Sequence, residues 1–158
     1  MGYTQHWRRP IEIPPDQMRA ILRDFCRLIP ALRDTGVTLA GPPGWGEPHL
    51  TGYGVSFNGP GSRGCEPFDF PRVFEPPPWR DSEDGLYSAF CKTAWLPYDL
   101  AVTAFLLVAK HHLPQLEVAT DGKEEEWTSA RQMCEDVLGY GREYHINSAR
   151  ELEISRSE

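Results

Sequence analysis

The chain is short of the features by which proteins usually announce their chemistry. Its four cysteines (26, 65, 91 and 134) stand far apart with no CxxC pair, which argues against a zinc ribbon or a dithiol redox motif. Its five histidines (6, 49, 111, 112 and 145) form no HxxxH pair, so a metal site would need ligands from distant segments, and none is expected. The longest apolar stretch lies around 100–109, well short of the ~20 residues a membrane-spanning helix needs. The N-terminus lacks the apolar core of a secretory signal, and MGYTQH has His6 where the myristoylation pattern takes Ser or Thr. A soluble cytoplasmic protein is the expectation, with no membrane partner.

Positive charge is scarce as well. Lys and Arg number 16 against 23 Asp and Glu, for a formal net charge of −7. Such a chain is poorly suited to duplex nucleic acid, where phosphate neutralisation supplies most of the affinity. The charge is uneven. Residues 1–40 hold six Arg against four acids, while residues 113–158 hold eleven acids against five bases, so a small anion bound by the local Arg cluster remains open.

Catalytic signatures are missing in the same way. GVSFNG contains Ser56 but is not GxSxG. Cys91 beside Lys92 has the form of an activated thiol, yet it shares a strand face with Tyr87, Ala89 and Thr93, as a core residue would. GPPGWG (41–46) and GPGSRG (59–64) lack the Lys-Ser/Thr pair of a Walker loop. GPGSRG with Arg63 has the form of an anion cradle, or of a plain hairpin connection. Glu124-Glu125-Glu126 opens a helix, where acids are stabilised without any catalytic role. No catalytic residue and no cofactor is expected.

What is present is pattern. GYTQHWRR alternates Tyr3, Gln5, Trp7 and Arg9 with Thr4, His6 and Arg8, the period of a strand. After Pro14-Pro15-Asp16, the positions Met18, Ile21, Leu22, Phe25, Leu28, Ile29 and Leu32 recur at helical spacing, with four Arg on other faces. VTLAG (37–41), HLTGYGVSFNG (49–59, with Tyr53, Val55 and Phe57 on one face), EPFDFPRVF (66–74), LYSAFCKTA (86–94) and LPQLEVAT (113–120) read as strands. EPPPWRDSEDG (75–85) reads as a Pro-rich acidic loop. YDLAVTAFLLVAKHH is apolar nearly all round and predicts a central buried helix, with His111 and His112 at its negative end. Asp121 is placed to cap a last helix with Trp127, Ala130, Met133, Cys134, Val137 and Leu138 on one face. Cys26 and Cys134 are expected as reduced core residues. The fold class is α+β: a mainly antiparallel sheet of about five to six strands, covered by three helices on one face. Residues 1–141 form a single domain, and 142–158 a polar C-terminal tail.

The candidate ligand-binding set is Tyr3, His6, Trp7, Arg8, Arg9, Asn58, Lys92, Tyr98 and Asp99. If the first strand neighbours the Lys92 strand, these converge at one sheet end. Rings for stacking and cations for phosphates are what a nucleotide-like ligand requires. The structural alternative has Trp7 and Tyr3 packing under a helix, Arg8 or Arg9 pairing with surface acids, and Lys92 pairing with Asp99 as the cap of the central helix.

MGYTQHW (1–7), FNG (57–59), FCKTAWLPYD (90–99) and TDG (120–122) together resemble a family of small uncharacterised bacteriophage and bacterial proteins that begin MGYTHYW and carry FCKTxxxPYD. The likeness departs at Gln5-His6, where His-Tyr is usual. The resemblance implies a phage or prophage source rather than an activity. On that source, the leading expectation is a non-enzymatic, anti-defence type of binding protein that captures a small anionic, nucleotide-like ligand such as a host immune signal. The alternative is a protein-protein inhibitor or assembly module acting on a host protein through the acidic C-terminal region, and a nucleotide-processing enzyme stands third. A homo-oligomer is compatible with each.

Overall fold

The alternation in TQHWRR builds the first strand, β1 (Thr4–Arg9), whose Gln5, Trp7 and Arg9 are buried while His6 is exposed. The computed structural model describes residues 2–155. After β1 come α1 (Pro15–Asp34), β2 (His49–Thr51), β3 (Gly54–Phe57), β4 (Phe68–Pro71), β5 (Tyr87–Lys92), α2 (Asp99–His112), β6 (Glu117–Thr120), α3 (Thr128–Leu138), β7 (Tyr144–Ile146) and β8 (Leu152–Ile154). Short 3-10 turns cover Gly61–Arg63 and Glu124–Trp127. The fold is α+β, with three helices and antiparallel sheets. The eight strands among the described residues are more than the sequence suggested, and they form three sheets in the orders β5-β1-β6, β2-β3-β4 and β7-β8.

The apolar pattern of α2 explains the arrangement. Ala101 through Ala109 are buried without a break, so this helix has to be covered on every side. Its Phe105 packs edge-on against Phe25 of α1 at 5.2 Å and against Phe68 and Phe70 of β4 at 5.0 and 5.1 Å. Phe68 in turn meets Trp7 of β1 at 5.1 Å. One aromatic cluster thus joins both three-stranded sheets to two helices.

Several sequence expectations change here. VTLAG is not a strand; Ala40 makes one isolated bridge to Asn58. Residues 49–59 fold back at Gly52-Tyr53 into β2 and β3, which leaves Tyr53 84% exposed in the turn while Val55 and Phe57 are buried. Cys26 is exposed on the outer face of α1, whereas Cys134 is buried as expected. Asp121 does not cap the last helix. Its carboxylate accepts the Thr4 N–H at 3.0 Å; Lys123 caps the 3-10 turn that leads into the helix, its N–H bound by Glu126 Oε2 at 2.7 Å, and the helix's own cap position is Trp127. The stretch expected as a polar tail from 142 folds as the β7-β8 hairpin, with Tyr144, Ile146 and Leu152 in the core; its last three residues lie outside those described. No helix among the described residues is long and apolar enough to cross a membrane.

A buried carboxylate in the middle of α1 holds the C-terminal end of α2 and the segment just after α3. Asp24 on α1 is 5% exposed, and its Oδ2 lies 2.8 Å from both His112 Nε2 and Tyr140 Oη, while Arg23 Nε reaches Oδ1 at 3.3 Å. A carboxylate only accepts, so His112 carries its proton on Nε2. Burial pushes the Asp24 carboxyl up, but the hydrogen bonds from His112, Tyr140 and Arg23 outweigh it and leave the group below its ordinary value. Stability from this junction is therefore full above the unfolded carboxylate pKa and is lost as pH falls through the lower folded value. Asp24→Ala is expected to cost about 3 kcal/mol in urea unfolding at pH 7. The gap to the wild type should narrow below about pH 4.

Candidate functional site

β1 lies between β5 and β6, with Thr4 opposite Lys92 and His6 opposite Phe90. The two strands the sequence set in parallel roles are therefore neighbours. Their side chains do not share one face. Tyr3, Trp7 and Arg9 point into the core, and His6, Arg8, Phe90 and Lys92 point outward.

At the sheet's end, the expected Lys92–Asp99 pair is replaced by another arrangement. Asp99 is the first residue of α2 and accepts hydrogen bonds from Thr93 Oγ1 at 2.7 Å and Gln5 Nε2 at 3.0 Å. It makes no side-chain cap. Lys92 extends outward beside Gly2, and its backbone pairs with Glu66, N–H to Oε1 at 2.8 Å and carbonyl from the Glu66 N–H at 3.1 Å. Tyr98 is buried and donates to the Glu66 carbonyl at 2.6 Å. Trp95, held at φ 65, packs against Tyr3 in a tilted arrangement with ring centroids 3.9 Å apart. These groups lock strand to helix.

Asn58 is a loop pin. Its Oδ1 accepts the Gly59 and Cys65 N–H groups at 2.8 and 3.1 Å, and its Nδ2 donates to the Pro42 and Cys65 carbonyls at 3.0 and 3.1 Å. All four of its hydrogen-bonding positions are engaged. The N–H groups of Gly61, Arg63 and Gly64 are bonded to Gly44, Pro60 and Gly61 carbonyls. GPGSRG therefore folds on itself and is not an anion cradle. Gly59 is required there, because a Cβ would stand 2.1 Å from the Arg63 carbonyl oxygen.

The outer face holds a hollow of about 220 Å³ bordered by His6, Arg8, Phe90, Glu117 and Glu151. Arg8 is already engaged there by Glu117 Oε1 at 2.6 Å and the Glu83 carbonyl at 2.6 Å, and His6 lies 3.3 Å from Asp121. Carboxylates dominate this hollow and disfavour an anion.

The buried side chains with unpartnered polar atoms give a stronger lead. Among the described residues these atoms are Tyr3 Oη, Gln5 Oε1, Trp7 Nε1, Arg9 Nη1, Trp127 Nε1 and Arg131 Nε. Trp7 and Arg9 are successive inward positions on β1, and each has one nitrogen without an acceptor, Trp7 Nε1 and Arg9 Nη1. Arg9 is fully buried: Nε donates to the Pro10 carbonyl at 3.1 Å and Nη2 to the Arg72 carbonyl at 3.2 Å. Its guanidinium lies over the rings of Phe70 and Phe74 at 4.7 and 5.4 Å. Desolvation lowers it to about 10, partly opposed by Asp69.

Beside this pair, a cleft of about 220 Å³ opens at the edge of β5. Trp7 and Ala89 line it from the core side, with Asp69, Phe74 and Arg80 around it and the exposed ring of Phe90 at its mouth. Arg80 is held to β5 by Nη1 donating to the Ser88 carbonyl at 2.8 Å. Because the Lys92 backbone bonds outward to Glu66, alternation directs the Phe90 N–H to that same open edge. The cleft can therefore combine ring stacking, an accessible cation and one carboxylate acceptor. Sequence reasoning singled out Trp7 and Arg9 but not Asp69, Phe74, Arg80 or Phe90. Arg80 is the one cation in EPPPWRDSEDG, and that was the available signal.

A further polar chain joins Ser155 Oγ, His145 and Glu153 at 2.8 Å per step across the β7-β8 hairpin. Ser155 and Glu153 are exposed to water, and the chain ties one strand to the other. No family model, curated protein or solved structure matches this chain.

Asp99 provides a test of the rim. Burial raises its carboxyl above the ordinary value, with Thr93 and Gln5 opposing. The charged form is thus the costly one, and stability falls as pH rises through the folded value. Asp99→Asn keeps the Thr93 bond and supplies a donor for Gln5 Oε1, which has no partner. This variant is expected to unfold at a higher temperature at pH 8, by about 1 kcal/mol of stability. The gain should vanish below about pH 4.

Proposed function

We propose that this chain is a non-enzymatic, phage-type binding protein that captures a small anionic, nucleotide-like ligand in the β5 cleft. The observation that carries this is the buried, unpartnered Trp7 indole N–H on a side chain that lines a cleft holding Arg80, with a second unpartnered donor, Arg9 Nη1, behind the cleft's Phe74. Buried donors are nearly always paired, and leaving one unpaired costs about 1–3 kcal/mol. One in a cleft wall, with a buried cation behind that wall, favours a ligand rich in acceptors.

The surrounding groups divide the work. Phe74 and Phe90 offer faces for a base, and stacking of this kind is tolerant of base identity. Arg80 is the accessible cation for a phosphate, with the Arg9 charge behind it. Asp69 accepts an amino or ring N–H of the base. At about 220 Å³ the cleft is smaller than ordinary ligand pockets, which start near ~300 Å³. It takes one ring, with the phosphate at the mouth beside Arg80. The MGYTQHW and FCKTAWLPYD resemblance supports a phage source, and with it a host signalling nucleotide as the natural ligand. Lys92, Asn58, Tyr98 and Asp99 are structural in this reading, and the cations that matter are Arg80 and Arg9.

Isothermal titration against a panel of nucleoside monophosphates and cyclic nucleotides tests the proposal. At least one is expected to bind. Arg80→Ala is expected to weaken that binding about tenfold, near the worth of one charge-assisted contact, and Lys92→Ala to leave it unchanged. Silence across the panel, or loss on Lys92→Ala alone, overturns it.

A further inference from the structure

A second surface lies among the helices, away from the β5 cleft. The C-terminal turn of α1, the first turn of α2 and one face of α3 leave a groove of about 550 Å³ between them, more than twice the volume of the β5 cleft. Ala31, Leu100, Met133 and Val137 supply its apolar surface, and all four are buried or partly buried. Its charged border consists of Asp34 and Asp136, both exposed and both acidic. The remaining border is uncharged, with hydroxyl groups and the Gln132 amide, which donates to Asp136 Oδ1 at 2.7 Å.

The groove meets the negative carbonyl end of α1 and the positive first turns of α2 and α3, so the full charges of Asp34 and Asp136 set its sign. An apolar floor framed by two carboxylates and, among the described residues, no cation does not suit an acidic or purely apolar ligand. It suits a segment with large apolar side chains on one face and Lys or Arg on either flank. An amphipathic helix presents that pattern at three-and-four spacing. Met133 in the floor supports it further, since methionine adapts to different side-chain shapes.

We infer that the α1-α2-α3 groove docks a basic amphipathic helix of a partner protein, with apolar side chains over Leu100 and Met133 and cations beside Asp34 and Asp136. This goes beyond ligand capture: it gives the protein a second, macromolecular partner on a different surface.

The probe is a fluorescein-labelled helical peptide of Leu and Lys, compared with a Leu/Glu peptide of the same apolar pattern. Fluorescence anisotropy is read at physiological salt, so that diffuse attraction to an acidic protein is screened. The Leu/Lys peptide is expected to bind and the Leu/Glu peptide not to. Asp34→Lys with Asp136→Lys should weaken binding about tenfold or more, because two attractions at the border become two repulsions. Glu125→Lys with Glu151→Lys makes the same change in net charge away from the groove and should cost less than about a third of that effect. Both double variants change exposed side chains, and unchanged circular dichroism melting confirms that they fold. Equal loss in both double variants, equal binding of the two peptides, or no binding at all overturns the inference. So does sedimentation showing a wild-type dimer that the Asp34/Asp136 double variant dissociates, which would assign the groove to a second copy of the chain.

Discussion

The fold depends on a helix that has no polar side to offer water. Nine successive residues of α2, Ala101 to Ala109, are buried, and each large apolar side chain among them contributes roughly 1.5–3 kcal/mol when removed from water. No single sheet or helix can cover such a helix. α1 and α3 take two sides, with Cys134 of α3 placing its thiol 3.9 Å from the Ala104 carbonyl. The sheets take the rest through Phe68, Phe70 and Trp7 around Phe105.

That constraint also shapes the proposed site. β1 is the middle strand of its sheet, so its inward side chains must serve the core. Trp7 does so by filling space against Phe68, yet it brings an indole N–H with it. Arg9 does so by lying flat on Phe70 and Phe74, and it brings a charge. An apolar side chain at either position would cover α2 without a donor that needs a partner. On the proposed reading, the Trp7 donor in the same cleft as Arg80 is what separates a binding cleft from an ordinary gap between sheets. Cys91 shows the opposite outcome on the neighbouring strand. Burial pushes its thiol up to about 12, so the Cys91-Lys92 pair supplies no thiolate and Cys91 acts as a small core residue.

Much of the fold was legible because hydrophobic period reports which face is buried. The alternation of β1, the apolar stripe of α1 and the unbroken run of α2 each carried that signal. The face of α3 with Trp127, Ala130, Met133 and Cys134 did so too. The hairpin of β7 and β8 was not legible, since three-residue strands are too short for a period to emerge. The candidate site was half legible. Alternation already placed Arg8 and Arg9 on opposite faces and set Lys92 opposite Thr93. Asp99 bonds to Thr93, so it lies on the buried side that Lys92 cannot reach. The cleft itself draws Asp69 from β4 and Phe74 and Arg80 from a loop. Such convergence is a property of sheet topology, and no local pattern encodes it.

The central claim is that the Trp7 indole N–H meets a ligand. The most direct measurement is the ¹H–¹⁵N correlation spectrum of the five tryptophan indoles, assigned by single Trp→Phe substitutions and followed during titration with nucleoside monophosphates and cyclic nucleotides. The Trp7 resonance is expected to shift on titration and saturate, while that of Trp127, which does not line the cleft, stays fixed. A Trp7 resonance that does not move with any member of the panel would contradict it.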